Sequence, residues 1–371
     1  YSTIAGGHNS YIYSYTGTIA GGMYNGAWGS YTMVGGGWYN RAYASVSTVS
    51  GGNYNYVYSS RGAIGGGYYN YVYAYSGIVL GGYANKVTSY AGGVLGGYYN
   101  SAMGYTASVQ GGYYNRVYSS YAFIGGGYSN SAQYAYSKVY GGYDNWAYGY
   151  SAHVSGGQYN NAMASYSNIG GGRYNKVYAL YGTVRGGYGN TVGGYAGIVF
   201  GGLTNTADSG KYSAIMGGSG HAIYSGFSST IVGGDGHELD GGWSVIVGGQ
   251  DNTVSGDYSS LRGGQDGVIE GDYSSLAGGT ANTIAGDYGT IHGGQKHLIE
   301  EDYATIVGGT LNTVEGEAGA VAGGYGNSAL GAASVVGGGG NNVAKGDYST
   351  VTGGYQSDAR SGSYGTVRGG E

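Results

Sequence analysis

A Gly-Gly doublet recurs every fifteen residues from Gly6-Gly7 to Gly369-Gly370. Counted from each doublet, residues 6–368 divide into 24 units, of which 21 have 15 residues and three (201–216, 217–232 and 353–368) have 16. A period this short, held along the whole sequence, is the signature of a solenoid in which each unit makes one coil. The expected fold is all-β: a parallel β-solenoid, of β-roll or β-helix type, with 15-residue coils and about 24 of them. No unit differs enough from its neighbours to be a catalytic centre. Function is therefore expected from ladders of surface side chains.

The doublet is taken as positions 1 and 2 of each unit. Two residues before every doublet, at position 14, stands Val, Ile or Leu, as in Ile19, Val34, Val49 and Ile64. Two residues further back, at position 12, stands Gly, Ala, Ser or Thr, as in Gly17, Thr32, Ser47 and Gly62. A spacing of two puts both on one face of a strand, a large and a small residue suited to a thin core. Position 7 is always apolar (Ile12, Ala27, Val57, Ile299), which marks a second short strand facing the first. One corner reads Gly-Gly-x-x-Asn, with Asn in 18 of 24 units. Gly and Asn tolerate positive φ, so a tight turn is expected there, with Asn side chains bonding along the ladder. The other corner, near positions 9 and 10, often reads Gly-Asp, as in Gly256-Asp257.

A helical alternative fails on 88 Gly, each costing about 1 kcal/mol in a helix interior. Collagen fails because the Gly spacing is not three. Pro is absent, as a continuous parallel ladder requires. At ~4.8 Å per coil, 24 coils predict a rod of ~115 Å. Length alone would allow two or three domains, but the repeat favours one elongated body. Charged residues are only 9 %, so the hydroxyls of 49 Tyr, with Ser, Asn and turn backbone, must hydrate the surface.

The absence of Cys excludes disulfides and thiol chemistry. No apolar run reaches transmembrane length, so no direct membrane span is expected. No signal peptide or N-glycosylation sequon is present, and the sequence opens with Tyr in mid-repeat, the expectation being a mature form or an ordered fragment. Residues 1–5 complete a unit and 369–371 begin one. Open strand edges there imply either flanking domains or a next copy bound end to end.

Composition changes along the chain. Residues 1–200, a Tyr-rich segment, hold 39 Tyr and eight Lys/Arg against one acid, Asp144, a net +7. Residues 201–371, an acidic segment, hold 18 acids and six Lys/Arg, a net −12. The seam coincides with the consecutive 16-residue units, and is expected to be a soft boundary within a continuous solenoid. The contrast permits salt-screened head-to-tail attraction between subunits.

Units such as Thr-Ile-Ala-Gly-Asp-Tyr-Gly-Thr-Ile-His-Gly-Gly (283–294) and Asn-Asn-Val-Ala-Lys-Gly-Asp-Tyr-Ser-Thr-Val-Thr-Gly-Gly (341–354) resemble the head repeats of trimeric autotransporter adhesins (YadA-like or Hep_Hag-like) and related extracellular fibre proteins. The resemblance covers nearly all of the chain. It implies a left-handed parallel β-roll, association of three chains, and a surface that binds host matrix or other cells. The residues that match are the inward aliphatics (Ile291, Val351) and the Gly/Asn corners (Asn342, Gly353). This repeat is slightly longer, its upstream half is richer in Tyr, and no coiled-coil stalk or membrane anchor is expected within residues 1–371.

Three ladders are candidate sites. Position 3 is Tyr in six consecutive coils, Tyr68, Tyr83, Tyr98, Tyr113, Tyr128 and Tyr143, and position 8 carries Tyr13, Trp28, Tyr43, Tyr58 and Tyr73. Rings ~4.8 Å apart can stack. They then either stiffen the solenoid and pack against a neighbour, or form a platform for sugars, apolar surfaces or other cells. Asp257, Asp272, Asp287 and Asp302, followed by Glu317, form an acidic ladder. Such carboxylates must be solvated, hydrogen-bonded to the turn, or bridged by a cation such as Ca²⁺; no other cofactor is expected. His221, His237 and His297 replace Asn at the corner, and a zinc site there would need convergent ligands.

Other classes find little support. No nucleophile elbow, phosphate loop or dense basic stripe occurs, so catalysis and nucleic-acid binding are not expected. An ice-binding array would need regularity at the outward position 13, which instead runs Thr18, Met33, Thr48, Ala63, Ile78 and later Phe123, Lys138, His153. The expectation is a non-enzymatic extracellular or cell-surface protein that forms or decorates a filament. It would self-associate as a homotrimer or end-to-end filament and contact glycans or cell surfaces through many weak contacts. An ice- or carbohydrate-binding solenoid and a phage or virus fibre segment are the alternatives.

Overall fold

The computed structural model describes residues 1–360 and 362–370. The chain divides into two compact units, Tyr1–Gly186 and Gly187–Glu371. Each is a parallel β-solenoid, and together they contain about 24 coils, with no helix among the described residues.

In the first unit, the coil at 66–80 illustrates the pattern. Two short strands, Tyr71–Val72 and Ile78–Val79, pair in parallel with the next coil, Tyr71 opposite Lys86, Val72 opposite Val87, Ile78 opposite Gly93 and Val79 opposite Val94. Every pairing joins equivalent positions, so Val72 and Val79 are fully buried beneath Val87 and Val94. Position 3 adds a third ladder that hydrophobic patterning does not reveal: Tyr68 bridges Tyr83, whose own partner is Tyr98. Backbone bonds such as Tyr68 N–H to the Gly82 carbonyl (2.9 Å) and Tyr73 N–H to the Val87 carbonyl (2.8 Å) link the coils.

The Asn corner differs from expectation. Asn does not adopt the left-handed conformation; the residue before it does, as in Tyr24 (φ 55°), Tyr39 (54°) and Tyr69 (57°). That turn aims the Asn side chain inward, where Asn25 through Asn100 are completely buried. Asn85 shows the full set of bonds. Its Nδ2 donates to the carbonyls of Gly81 (2.9 Å) and Gly97 (2.9 Å), and its Oδ1 accepts the Asn100 N–H (3.0 Å). One amide thus satisfies three backbone groups across two coils, groups that would be costly to bury unpaired. The second doublet Gly is obligatory: at Gly82 (φ 91°) a Cβ would collide with the Gly97 carbonyl.

The second corner is also shifted. Its left-handed residue is position 11, one past Gly-Asp, as in Tyr258 (φ 54°) and Tyr273 (55°). Non-glycine residues rarely hold such φ values. Here an intercoil bond fixes each one, for example Tyr273 N–H to the Asp257 carbonyl (2.8 Å).

The second unit repeats the plan with larger core residues: Leu239, Ile246, Leu261, Ile269 and Leu276 are buried. Position 12 carries an additional polar ladder. Ser244 Oγ donates to the Gly256 carbonyl (2.7 Å) and accepts the Ser259 N–H (2.9 Å); Ser259 does the same one coil on. Ser at this position is therefore more than small. In coils 201–216 and 217–232 the extra residue lies in the second corner, and register is preserved, Ile198 opposite Ala214 and Ala214 opposite Thr230. The third long coil contains Ser361, outside the described residues, yet Thr350 still pairs with Thr366.

Two substitutions test this architecture by thermal denaturation. Val139 is fully buried and Lys138 faces out. Val139→Asp should cost several kcal/mol and abolish the cooperative transition of its unit, because it buries a charge without a partner; Lys138→Asp should change stability by less than about 0.5 kcal/mol. Asn115→Ala would leave the Gly111 carbonyl and the Asn130 N–H unpaired and leave the Gly127 carbonyl with only the Tyr113 N–H. It should destabilise by at least about 2 kcal/mol, whereas the outward Asn161→Ala should be nearly neutral.

Candidate binding surface

Alternation along the strand at positions 6 to 8 turns position 7 inward and its neighbours outward. Parallel in-register pairing then places equivalent outward residues in columns. Rings at position 8 stack through the first five coils: Tyr13–Trp28, Trp28–Tyr43, Tyr43–Tyr58 and Tyr58–Tyr73 have centroids 5.5, 4.6, 4.9 and 4.8 Å apart. A second column at position 6 lies beside it. Tyr56 and Tyr71 stack at 5.4 Å and approach Tyr58 and Tyr73 at 6.1 and 6.0 Å. The Arg41 guanidinium lies over Trp28 (5.6 Å) and Tyr56 (6.0 Å) and donates to the Tyr43 hydroxyl (3.0 Å). Burial pushes the Tyr56 phenol up to about 12 and raises Tyr58 and Tyr71 as well. The array therefore presents neutral hydroxyls on an aromatic face.

The position 3 tyrosines form a column too, with centroid spacings of 5.5, 5.9, 6.1, 5.2 and 5.0 Å from Tyr68 to Tyr143. Tyr98, Tyr128 and Tyr143 are exposed; Tyr68, Tyr83 and Tyr113 are half-buried. Edge contacts with position 4 rings, Tyr68 on Tyr69 (4.6 Å) and Tyr113 on Tyr114 (4.5 Å), wedge them in place.

Two further columns stand on the left-handed residues. Tyr24, Tyr39, Tyr54 and Tyr69 stack at 4.7, 5.2 and 4.8 Å. In the second unit Trp243, Tyr258, Tyr273, Tyr288 and Tyr303 stack at 5.0, 4.9, 5.0 and 4.8 Å with rings within 5° of parallel. The sequence signal of the latter column is the recurring Gly-Asp-Tyr triplet, as in 256–258 and 271–273.

The acidic ladder runs beside this column. Each carboxylate accepts a backbone N–H from the preceding coil: Asp257 from Gly242 (2.6 Å), Asp272 from Asp257, Asp287 from Asp272 and Asp302 from Asp287 (each 2.8 Å). Among the described residues no group of three or more His, Cys, Asp or Glu could hold a metal ion. The carboxylates are occupied with the turn.

His221, His237 and His297 are buried and take over the acceptor half of the Asn role, while their Nε2 atoms find no hydrogen-bond partner among the described residues. Their Nδ1 atoms accept the N–H of His237, Asn252 and Asn312 (each 3.2 Å), which fixes the proton on Nε2. His221 and His237 stack at 4.8 Å. They do not converge on a shared ligand point.

The concave features described are open notches of about 180 to 370 Å³ between coils. Among the described residues no helix is long and apolar enough to cross a membrane. Neither family models nor curated proteins give a match to this chain. Its chemistry must be read from the arrays themselves: aromatic faces edged by hydroxyls and amides.

The histidines generate a pH prediction. Burial lowers the His221 pKa to about 4, aided by His237, and burial lowers His237 and His297 too. A histidine easier to protonate when unfolded contributes stability above ~6.5 that is lost as pH falls through its folded value. The melting temperature of the second unit should therefore drop between about pH 6.5 and 4. His221→Asn with His237→Asn should flatten that slope, measured by calorimetry across the same range.

Proposed function

We propose that this chain is a non-enzymatic extracellular structural and adhesive protein that forms or decorates a surface filament through repeated weak contacts. The observation that carries the reading is the set of half-exposed aromatic columns repeating at about 5 Å on coils without inserted loops. Each ring offers little alone. Many rings in fixed register convert weak contacts into avidity once the first engages. The rings carry neutral hydroxyls, so they suit both apolar and glycan-covered surfaces.

Self-association follows from charge. Residues 1–186 hold eight Lys/Arg and one acid, a net +7, and residues 187–371 hold six Lys/Arg and 18 acids, a net −12. Copies attract where opposite units meet. The resemblance of units such as 341–354 to head repeats of trimeric autotransporter adhesins supports the same reading, with a homotrimer or an end-to-end filament as the assembly.

Adhesion and assembly are tested separately. Beads coated with the protein should bind mucin-coated and apolar surfaces. Tyr13, Tyr43, Tyr58 and Tyr73→Ser should weaken adhesion at least about tenfold without loss of the fold. Equal adhesion would reject the aromatic platform. Light scattering and electron microscopy should show assemblies at low salt that shrink at about 0.5 M salt; monomers at every ionic strength would reject self-association.

A further inference from the structure

Coil 126–140 is one of the places where the aromatic array of the first unit is interrupted, as coil 81–95 is with Ala84, Lys86 and Thr88. Coil 126–140 carries Ser129, Ser131 and Gln133 at positions 4, 6 and 8. The coil before it carries Tyr114, Arg116 and Tyr118 there, and the coil after it Asp144, Trp146 and Tyr148. Register is continuous across the gap, Arg116 opposite Ser131 and Ser131 opposite Trp146. The result is an open notch of about 280 Å³ with Tyr114, Arg116 and Tyr118 on one wall and Trp146 on the other. Its floor is polar, and Gln133 Nε2 donates to the buried Ser131 Oγ (2.8 Å).

We infer that this notch binds one pyranose ring of an acidic glycan. Walls two coils apart stand ~9.6 Å from each other, so a single ring midway lies ~4.8 Å from each. That matches the spacing of stacked rings elsewhere, such as Tyr99 and Tyr114 at 4.9 Å. The upper wall is held in place: the Trp146 indole N–H donates to Asp144 Oδ1 (2.8 Å), and the indole stacks on Tyr148 (5.6 Å). A ring with apolar faces and a polar edge fits both the aromatic walls and the Ser/Gln floor. A purely aromatic ring would strip water from Ser129, Ser131 and Gln133 without replacing its bonds.

Arg116 gives the preference for charge. Its guanidinium has no ion pair, side-chain hydrogen bond or ring partner among the described residues, and Asp144 already serves the indole. A ring carboxylate accepts the guanidinium bidentately. The inference goes beyond the adhesive reading and stands without it, because the gap in coil 126–140 is local and does not require assembly.

The test is calorimetric titration of the full chain with a tetragalacturonate and with a neutral tetrasaccharide, followed also by tryptophan fluorescence. The uronate should bind saturably, quenching a signal that Trp146→Phe removes, and at least about tenfold more tightly than the neutral sugar. Ser131→Tyr with Gln133→Tyr gives the gap the pair that coil 66–80 carries as Tyr71 and Tyr73, so it preserves the fold. It should abolish binding while leaving the melting temperature unchanged or raised. Arg116→Gln should erase the preference for the acid. Absence of uronate binding to the wild type, or undiminished binding to the filled variant, would overturn the site. Equal affinity for the neutral sugar, or retained acid preference in Arg116→Gln, would overturn the role of Arg116.

Discussion

The structure depends on a buried corner amide, present in 18 of the 24 coils. A corner Asn such as Asn85 donates to carbonyls of its own coil and the next, and accepts the next backbone N–H. Aliphatic packing alone specifies which residues face inward, but it tolerates sliding between similar side chains. The amide does not, because a shifted coil would leave buried donors and acceptors without partners. This explains why the period is held so closely and why the second doublet Gly is needed: it brings the carbonyl of one coil under the amide of the previous one, where a Cβ has no room. It also explains why histidine is an acceptable replacement, since Nδ1 preserves the acceptor that the next coil requires.

The two units elaborate this constraint differently. The first surrounds a narrow Val/Ala core with stacked rings and few charges. The second has a larger Ile/Leu core, a serine ladder inside and a carboxylate ladder outside. In both, left-handed tyrosines are held by intercoil bonds and by the neighbouring ring. Stacking of about 0.5–1.5 kcal/mol per pair is of the same order as the conformational cost of a left-handed residue. Aromatic residues at these corners thus offset much of the strain they incur.

The fold was legible because its period is exposed in the Gly doublets and because strand faces follow from alternation. Val72, Val79 and their equivalents lie where that argument puts them. The turns were less legible. Asn tolerates left-handed geometry, but tolerance does not show use, and the preceding tyrosine occupies that region instead. The ladder at position 3 was visible only as a run of tyrosines, since its backbone pairing leaves no hydrophobic pattern. Among candidate sites, the spacing of Asp257 to Asp302 gave the column and not its partners, which are main-chain amides. The notch at Ser131 was the hardest to read: it is defined by absent rings, and a missing side chain acquires meaning only once neighbouring coils are known to lie in register.

Coils 201–216 and 217–232 each accommodate an added residue in the second corner while both strand ladders continue in register. Length is thereby uncoupled from architecture at one address per coil. A chain of this type can acquire projecting segments there by small duplications, one coil at a time, without re-evolving its interior. The same address is where a designer would graft a foreign peptide to display it at multiples of the coil rise.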